Sequence, residues 1–146
     1  MKEYDLKRFV APNTSDYDTA LSEIKAGRKR SHWIWYIFPQ LKGLGRSYNS
    51  EYYGLVNADE AREYLMHPLL GEHLMEITEA LLGLEGNDPV KVMGSIDALK
   101  LKSSMTLFAA VSEEGSVFYR VLDKYFDGER DEMTLSILGG NVRTTD

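Results

Sequence analysis

Residues 57–82 read NADEAREYLMHPLLGEHLMEITEALL, and the class of fold is decided there. Asn57 is a helix-capping residue type, and Glu60 stands three positions on, where a carboxylate reaches back to the helix start. A helix to about Leu65 is expected. His67-Pro68 then opens another, because a proline in the first turn gives up an N–H that has no helical partner anyway. Over 68–82, Leu69, Leu70, Leu74, Ile77, Leu81 and Leu82 recur at helical spacing and form one apolar side.

The same grammar continues outward. Asp88-Pro89 starts a short helix to about Met93, and Ser95 caps one over 96–110. Ser112 caps one over 113–126, with Phe118, Leu122 and Phe126 inward and Gly128 at its end. Asp131 caps a last one over 132–138, with Leu135 and Leu138 facing in. Upstream, Tyr17, Ala20, Leu21 and Ile24 mark a helix over 16–26 that stops at Gly27. Only 33–38, Trp-Ile-Trp-Tyr-Ile-Phe, and 52–56 leave room for β structure. The first run is aromatic, β-favouring and closed by Pro39, so a buried strand or extended core segment is expected, with a short helix as the alternative. Gly43-Leu44-Gly45-Arg46-Ser47 reads as a loop. The expectation is a mainly α fold of about six or seven helices, with at most a minor β element near 33–38. It is one compact domain over 1–138, followed by a small, polar tail over 139–146.

The chain has 146 residues, 43% of them hydrophobic, which is enough for one core. It has no cysteine, which excludes disulfides, thiolate nucleophiles and zinc ribbons. No apolar run approaches the length of a membrane span, and the charged start lacks a signal-type apolar stretch, so a cytoplasmic protein is expected. The net charge of −6 is uneven: residues 1–50 sum to +4 and residues 51–146 to −10. Between Glu23 and Glu51 there is no acidic residue, while Lys25, Arg28, Lys29, Arg30, Lys42 and Arg46 all fall there. That pattern suits one local anion site in an acidic chain better than a general nucleic-acid binder.

No nucleotide-binding glycine fingerprint, phosphate loop, nucleophile elbow or zinc-protease motif occurs. The three histidines, His32, His67 and His73, are too scattered for a metal set, and neither a metal nor a cofactor is expected. The segment Arg28–Ser47 is richer. Arg28 and Arg30 could hold phosphate, Trp33 or Trp35 could stack on a base, and His32 or Gln40 could orient the ligand or move protons. Ser47, at the end of the loop, is a further candidate for binding the ligand. The plainer reading makes the aromatic run core and the cations its solvated flanks. In Leu99–Phe108, Lys100 falls on a helical wheel with Ser104, Leu107 and Val111, the apolar side, whereas Lys102 points elsewhere. An amine turned inward is a candidate nucleophile, and Ser103 and Ser104 could bind hydroxyl-rich or phosphate groups. Alternatively, Lys100 lies near the helix start and snorkels to water.

Several motifs, in order, carry a family resemblance. They are Asp5–Val10, Ser31–Gln40, Gly43–Ser47, Tyr64-Leu65-x-His67-Pro68-Leu-Leu-Gly71, Lys100–Phe108, and Phe126-x-Gly128-x-x-Asp131-x-x-Thr134-Leu135. Together they resemble the domain-of-unknown-function family 1810, over nearly the whole chain. One departure is Ala11-Pro12-Asn13, where the family usually has an acidic residue, Ala and Gln. Members sometimes carry the label calpastatin, for which these residues give no basis, since calpastatin repeats are disordered and this chain has a core. The resemblance extends to YbiA-like, or NADAR, proteins. It implies their mainly α fold and an ADP-ribose or ribosylated-nucleotide ligand. It also implies N-glycosidic hydrolysis through a lysine Schiff base, with Lys100 matching the relatives' lysine in a pattern one residue longer. The partner implied is a small nucleotide-like molecule, with nucleic acid entering only as an ADP-ribosylated substrate and no membrane. The alternatives are a non-catalytic module that binds a nucleotide metabolite and a protein-interaction domain.

Overall fold

The computed structural model describes residues 4–140, and among them the chain forms nine helices and no strand. In order they are α1 (Lys7–Lys25), α2 (Ile34–Ile37), α3 (Tyr48–Tyr52), α4 (Ala58–Met66) and α5 (Leu70–Leu82), then α6 (Pro89–Met93), α7 (Ser95–Ala110), α8 (Val117–Phe126) and α9 (Glu132–Gly140). Helix α7 is the axis. Leu101, Met105, Leu107 and Phe108 are buried all round it, and α4, α6, α8 and α9 pack against it. Helix α5 lies between α1 and α8, presenting Leu70, Leu74, Ile77 and Leu81 to the core. No helix among the described residues is long and apolar enough to cross a membrane.

The helix starts follow from local chemistry. Asn57 Oδ1 accepts from Glu60 N at 2.9 Å, and Glu60 Oε1 accepts from Val56 N at 2.8 Å, so both side chains satisfy orphan donors. His67 Nδ1 accepts from the backbone N–H groups of Leu69 and Leu70 at 3.1 and 3.2 Å. Asp88 accepts from Val90 N at 3.0 Å at the start of α6.

Several expectations need correction. The run 33–38 is neither strand nor extended, but a single helical turn, α2. A strand needs a partner, whereas one turn satisfies its own N–H groups: Ile37 N donates to Trp33 O and Phe38 N to Ile34 O. The one trace of β pairing among the described residues is a parallel bridge between Leu41 and Leu55. Helix α1 begins at Lys7, nine residues before the expected start. Pro12 and the polar Asn13 break its apolar pattern, yet Asn13 is buried and satisfied, its amide donating to Phe9 O at 3.0 Å and Tyr36 O at 2.9 Å.

Helix α7 begins at Ser95 itself, after Gly94, and no side chain caps it. Helix α8 begins at Val117 rather than 113, because Gly115 adopts φ +86, outside the helical region, and the Ser112 hydroxyl bonds back to Phe108 O. In α9, Asp131 Oδ2 accepts from Thr134 N and Oγ1 at 2.9 and 2.6 Å, which turns Thr134 into the core. Leu135 is therefore 37% exposed instead of facing in, while Leu138 packs on the core as expected. Gly139 and Gly140 continue the helix, and the rest of the expected tail lies outside the described residues.

Candidate functional site

One wall of the site is the loop 40–54. It is pinned at its base by the Leu41–Leu55 bridge, in which Leu55 N donates to Gln40 O at 2.9 Å and Lys42 N to Leu55 O at 2.7 Å. Ser47 Oγ caps the short helix α3 by accepting from Ser50 N. Gly54 is pressed against the other limb of the loop. A Cβ there would stand 2.7 Å from both Lys42 Cα and Ser50 O, so no other residue fits without movement. Arg8 of α1 clamps the returning limb. Its Nε donates to Tyr52 O at 2.7 Å, Nη2 to Gly54 O at 3.0 Å, and Nη1 to Glu60 Oε2 at 3.1 Å. Glu60 is 2% exposed, so this is a buried ion pair that ties α1, α4 and the loop together.

The other wall is the first half of α7, where Ile96, Leu99, Lys100 and Ser103 face the loop, joined by Asp131 and Met133 at the start of α9. Between the walls lies a cavity of about 510 Å³. Lys100 Nζ sits 4.6 Å from the ring centre of Trp35 and 3.4 Å from Asp97 Oδ1. Arg46, Gln40, Ser47, Ser50 and Tyr53 complete the polar lining. Burial, with Tyr52 and Tyr48 beside it, raises the Tyr53 phenol above its ordinary pKa, so it remains a hydroxyl at neutral pH. Among the lining side chains Arg46 and Lys100 are cationic and Asp131 is anionic, in a chain whose overall charge is negative.

Of the residues singled out from sequence, Lys100, Trp35, Gln40, Ser47 and Ser103 meet in this cavity. The others stand elsewhere. Trp33 is 1% exposed, and its indole N–H donates to Glu23 Oε1 at 2.9 Å, so its face is closed to any base. Arg28, Arg30 and His32 are exposed and off the cavity walls. Ser104 is fully buried away from the lining, its hydroxyl without a hydrogen-bond partner. Sequence reasoning missed Arg46, Ser50, Tyr53 and Asp131 as lining residues. Arg46 carried a signal, a cation inside the acid-free stretch between a loop glycine and a capping serine. Asp131 carried none, since its capping role fully accounts for it.

Glu23 organises the segment that leads to the cavity. Its carboxylate accepts from Arg30 N at 2.8 Å, Ser31 N at 3.0 Å, Ser31 Oγ at 2.5 Å and the Trp33 indole. Burial alone would raise its pKa. The hydrogen bonds from Ser31, from the Arg30 and Ser31 amides and from Trp33 outweigh that and hold it down at about 2. Among the described residues, no group of three or more acidic or histidine side chains gathers closely enough to hold a metal ion.

Fold and site together define a class: a mainly α domain with a cation-bearing cavity between a long, pinned loop and a central helix. The chain belongs to the family described as Protein of unknown function (DUF1810), whose model matches residues 3–138. It is similar to a solved structure, the conserved hypothetical protein Rv1873 from Mycobacterium tuberculosis, at 43% identity. The match has a TM-score of 0.90 and covers 93% of this chain and 97% of that one. No curated protein matches.

Proposed function

We propose that the cavity binds a ribosyl or nucleotide-type ligand and hydrolyses its N-glycosidic bond, with Lys100 as the nucleophile. The observation that carries this reading is that the Lys100 amine shares one cavity with Trp35, Gln40 and Ser47, residues far away in sequence. The resemblance to YbiA-like proteins adds the reaction class. The lining supports an orientation. Ile96, Leu99 and Met133 are 70, 67 and 60% exposed, forming an apolar shelf on one side that suits a base. Arg46, Gln40 and the Ser47 and Ser50 hydroxyls lie on the other, which suits phosphate and ribose hydroxyls. Lys100 shares the α7 wall with Ile96 and Leu99, across the cavity from the loop that carries Arg46 and Ser47.

In this mechanism the Lys100 amine, in its unprotonated form, attacks the anomeric carbon, and the proton it sheds as the new bond forms passes to the departing base. The carbon–nitrogen bond breaks and the base leaves with that proton. The glycosyl amine opens to an imine, and water hydrolyses it, returning the free amine and the ribosyl product. In this reading Gln40, which lines the cavity, orients the ligand in place of His32, which is exposed and off its walls. Borohydride in the presence of ADP-ribose should trap a covalent adduct on the wild type that Lys100→Ala loses, read by intact-protein mass spectrometry. Absence of any wild-type adduct across a panel of ribosyl substrates would sink the Schiff-base reading.

One observation favours a second reading. A Lys100 side chain held by a carboxylate and an aromatic face is also suited to pairing with a ligand anion without reacting. A module of that kind would be stabilised by ADP-ribose without turnover, by about 2.7 kcal/mol at a hundredfold excess over Kd. Lys100→Arg separates the two readings: binding survives the change, whereas chemistry does not.

A further inference from the structure

Asp97 lies on α7 one turn before Lys100, and its two oxygens serve two lysines. Oδ2 is 2.7 Å from Lys29 Nζ, and Oδ1 is 3.4 Å from Lys100 Nζ. The closer partner is also the more enclosed, with the Lys29 side chain 6% exposed against 21% for Lys100. Lys29 is fixed from several directions. Its Nζ donates to the Ser31 carbonyl and lies 4.8 Å from the ring centre of Trp33, and its backbone N–H donates to Val92 O at 2.7 Å. Of the basic triplet Arg28-Lys29-Arg30, only the middle member turns inward. It does not line the cavity, yet its amine lies 2.7 Å from the carboxylate that holds the cavity's lysine.

An enclosed cation without a partner is strongly unfavourable, so Asp97 is committed first to Lys29. We infer that Lys29 is a positioning residue for Lys100: it locks Asp97 in place and takes up most of its charge. Of these three side chains, one positive charge is left uncompensated, and it is the one that faces the ligand. This rests on the reading of Lys100 as the group that meets the ligand, and it adds a residue outside the cavity that sets that group's state. The other charged or titratable groups on the cavity lining are Arg46 on the loop wall, Asp131 before α9 and the Tyr53 hydroxyl.

The test is pH-dependent labelling of the Lys100 amine with acetic anhydride, quantified by peptide mass spectrometry on the whole folded chain. No ligand is involved, so its result is independent of borohydride trapping. Removing Lys29 leaves Asp97 wholly to Lys100, and Lys29→Gln should move the labelling midpoint upward by about half a pH unit or more. Asp97→Asn should move it downward, and Lys29→Arg, which keeps the charge, should leave it near wild type. Shifts in opposite directions are not produced by general loosening of the fold. Midpoints that stay put in both charge-removing variants, or that move the same way, overturn the inference. If Lys29→Gln does not fold, Asp97→Asn decides alone, and an unmoved or raised midpoint there overturns it.

Discussion

A single carboxylate can organise a whole loop when several donors converge on it. Glu23 receives four hydrogen bonds from residues 30–33, and they hold its pKa at about 2 against an ordinary value of 4.5. The folded state therefore binds fewer protons than the unfolded state in that window. The stabilisation is complete above about pH 4.5 and is lost as pH falls towards 2. Glu23→Gln should cost about 1–3 kcal/mol near neutral pH and flatten the acid limb of stability, measured by urea unfolding at a series of pH values. An unchanged acid limb would show that another group is responsible. In sequence, Glu23 appeared only as the edge of the acid-free stretch, because nothing local signals how many donors a carboxylate will receive. Trp33 and Trp35 teach the same lesson. Two positions apart on one helical turn, they face different ways, so one is sealed in the core and the other reaches the cavity.

Among the elements, stripes made the helices legible, and caps fixed some of their starts but not those read at Ser95 and Ser112. Asn57, Asp88 and Asp131 cap helices as read, since a cap is a short-range event between a side chain and the next turn. What escaped were the places where distant groups overrule local pattern. Asn13 sits in the core stripe of α1 because Tyr36, on another element, accepts its second hydrogen bond. The run 33–38 is a helical turn, and among the described residues there is no strand for it to pair with. The loop 40–54 holds its shape by close approach of its two limbs at Gly54. Gly54→Ala forces those limbs apart and should destabilise the fold by about 1–3 kcal/mol, seen as a lower melting temperature. A melting temperature equal to wild type would mean that the limbs separate freely and that the wall is softer than its packing implies.

For the whole molecule, fold class was legible and the assembly of the site was legible only in part. Helical periodicity is local, but the meeting of Trp35, Gln40 and Ser47 with Lys100 depends on how the intervening helices stack. The molecule is cross-tied by Arg8 and Glu60, fifty-two positions apart. Arg8→Met leaves the Glu60 carboxylate buried and uncompensated, and should cost about 3–5 kcal/mol in equilibrium urea unfolding. Adding Glu60→Gln should recover much of that loss. If the double variant is no more stable than the single one, the cost lies in the lost backbone contacts of Arg8 rather than in the stranded charge. The Leu41–Leu55 bridge has a separate consequence. Two backbone hydrogen bonds close the base of an excursion whose far end carries Arg46, Ser47 and Ser50, all outside the hydrophobic core. The lining can therefore be exchanged like a cassette: side chains at 46, 47 and 50 can rewrite what the cavity accepts while Leu44 and the bridge keep the loop seated on the helical frame.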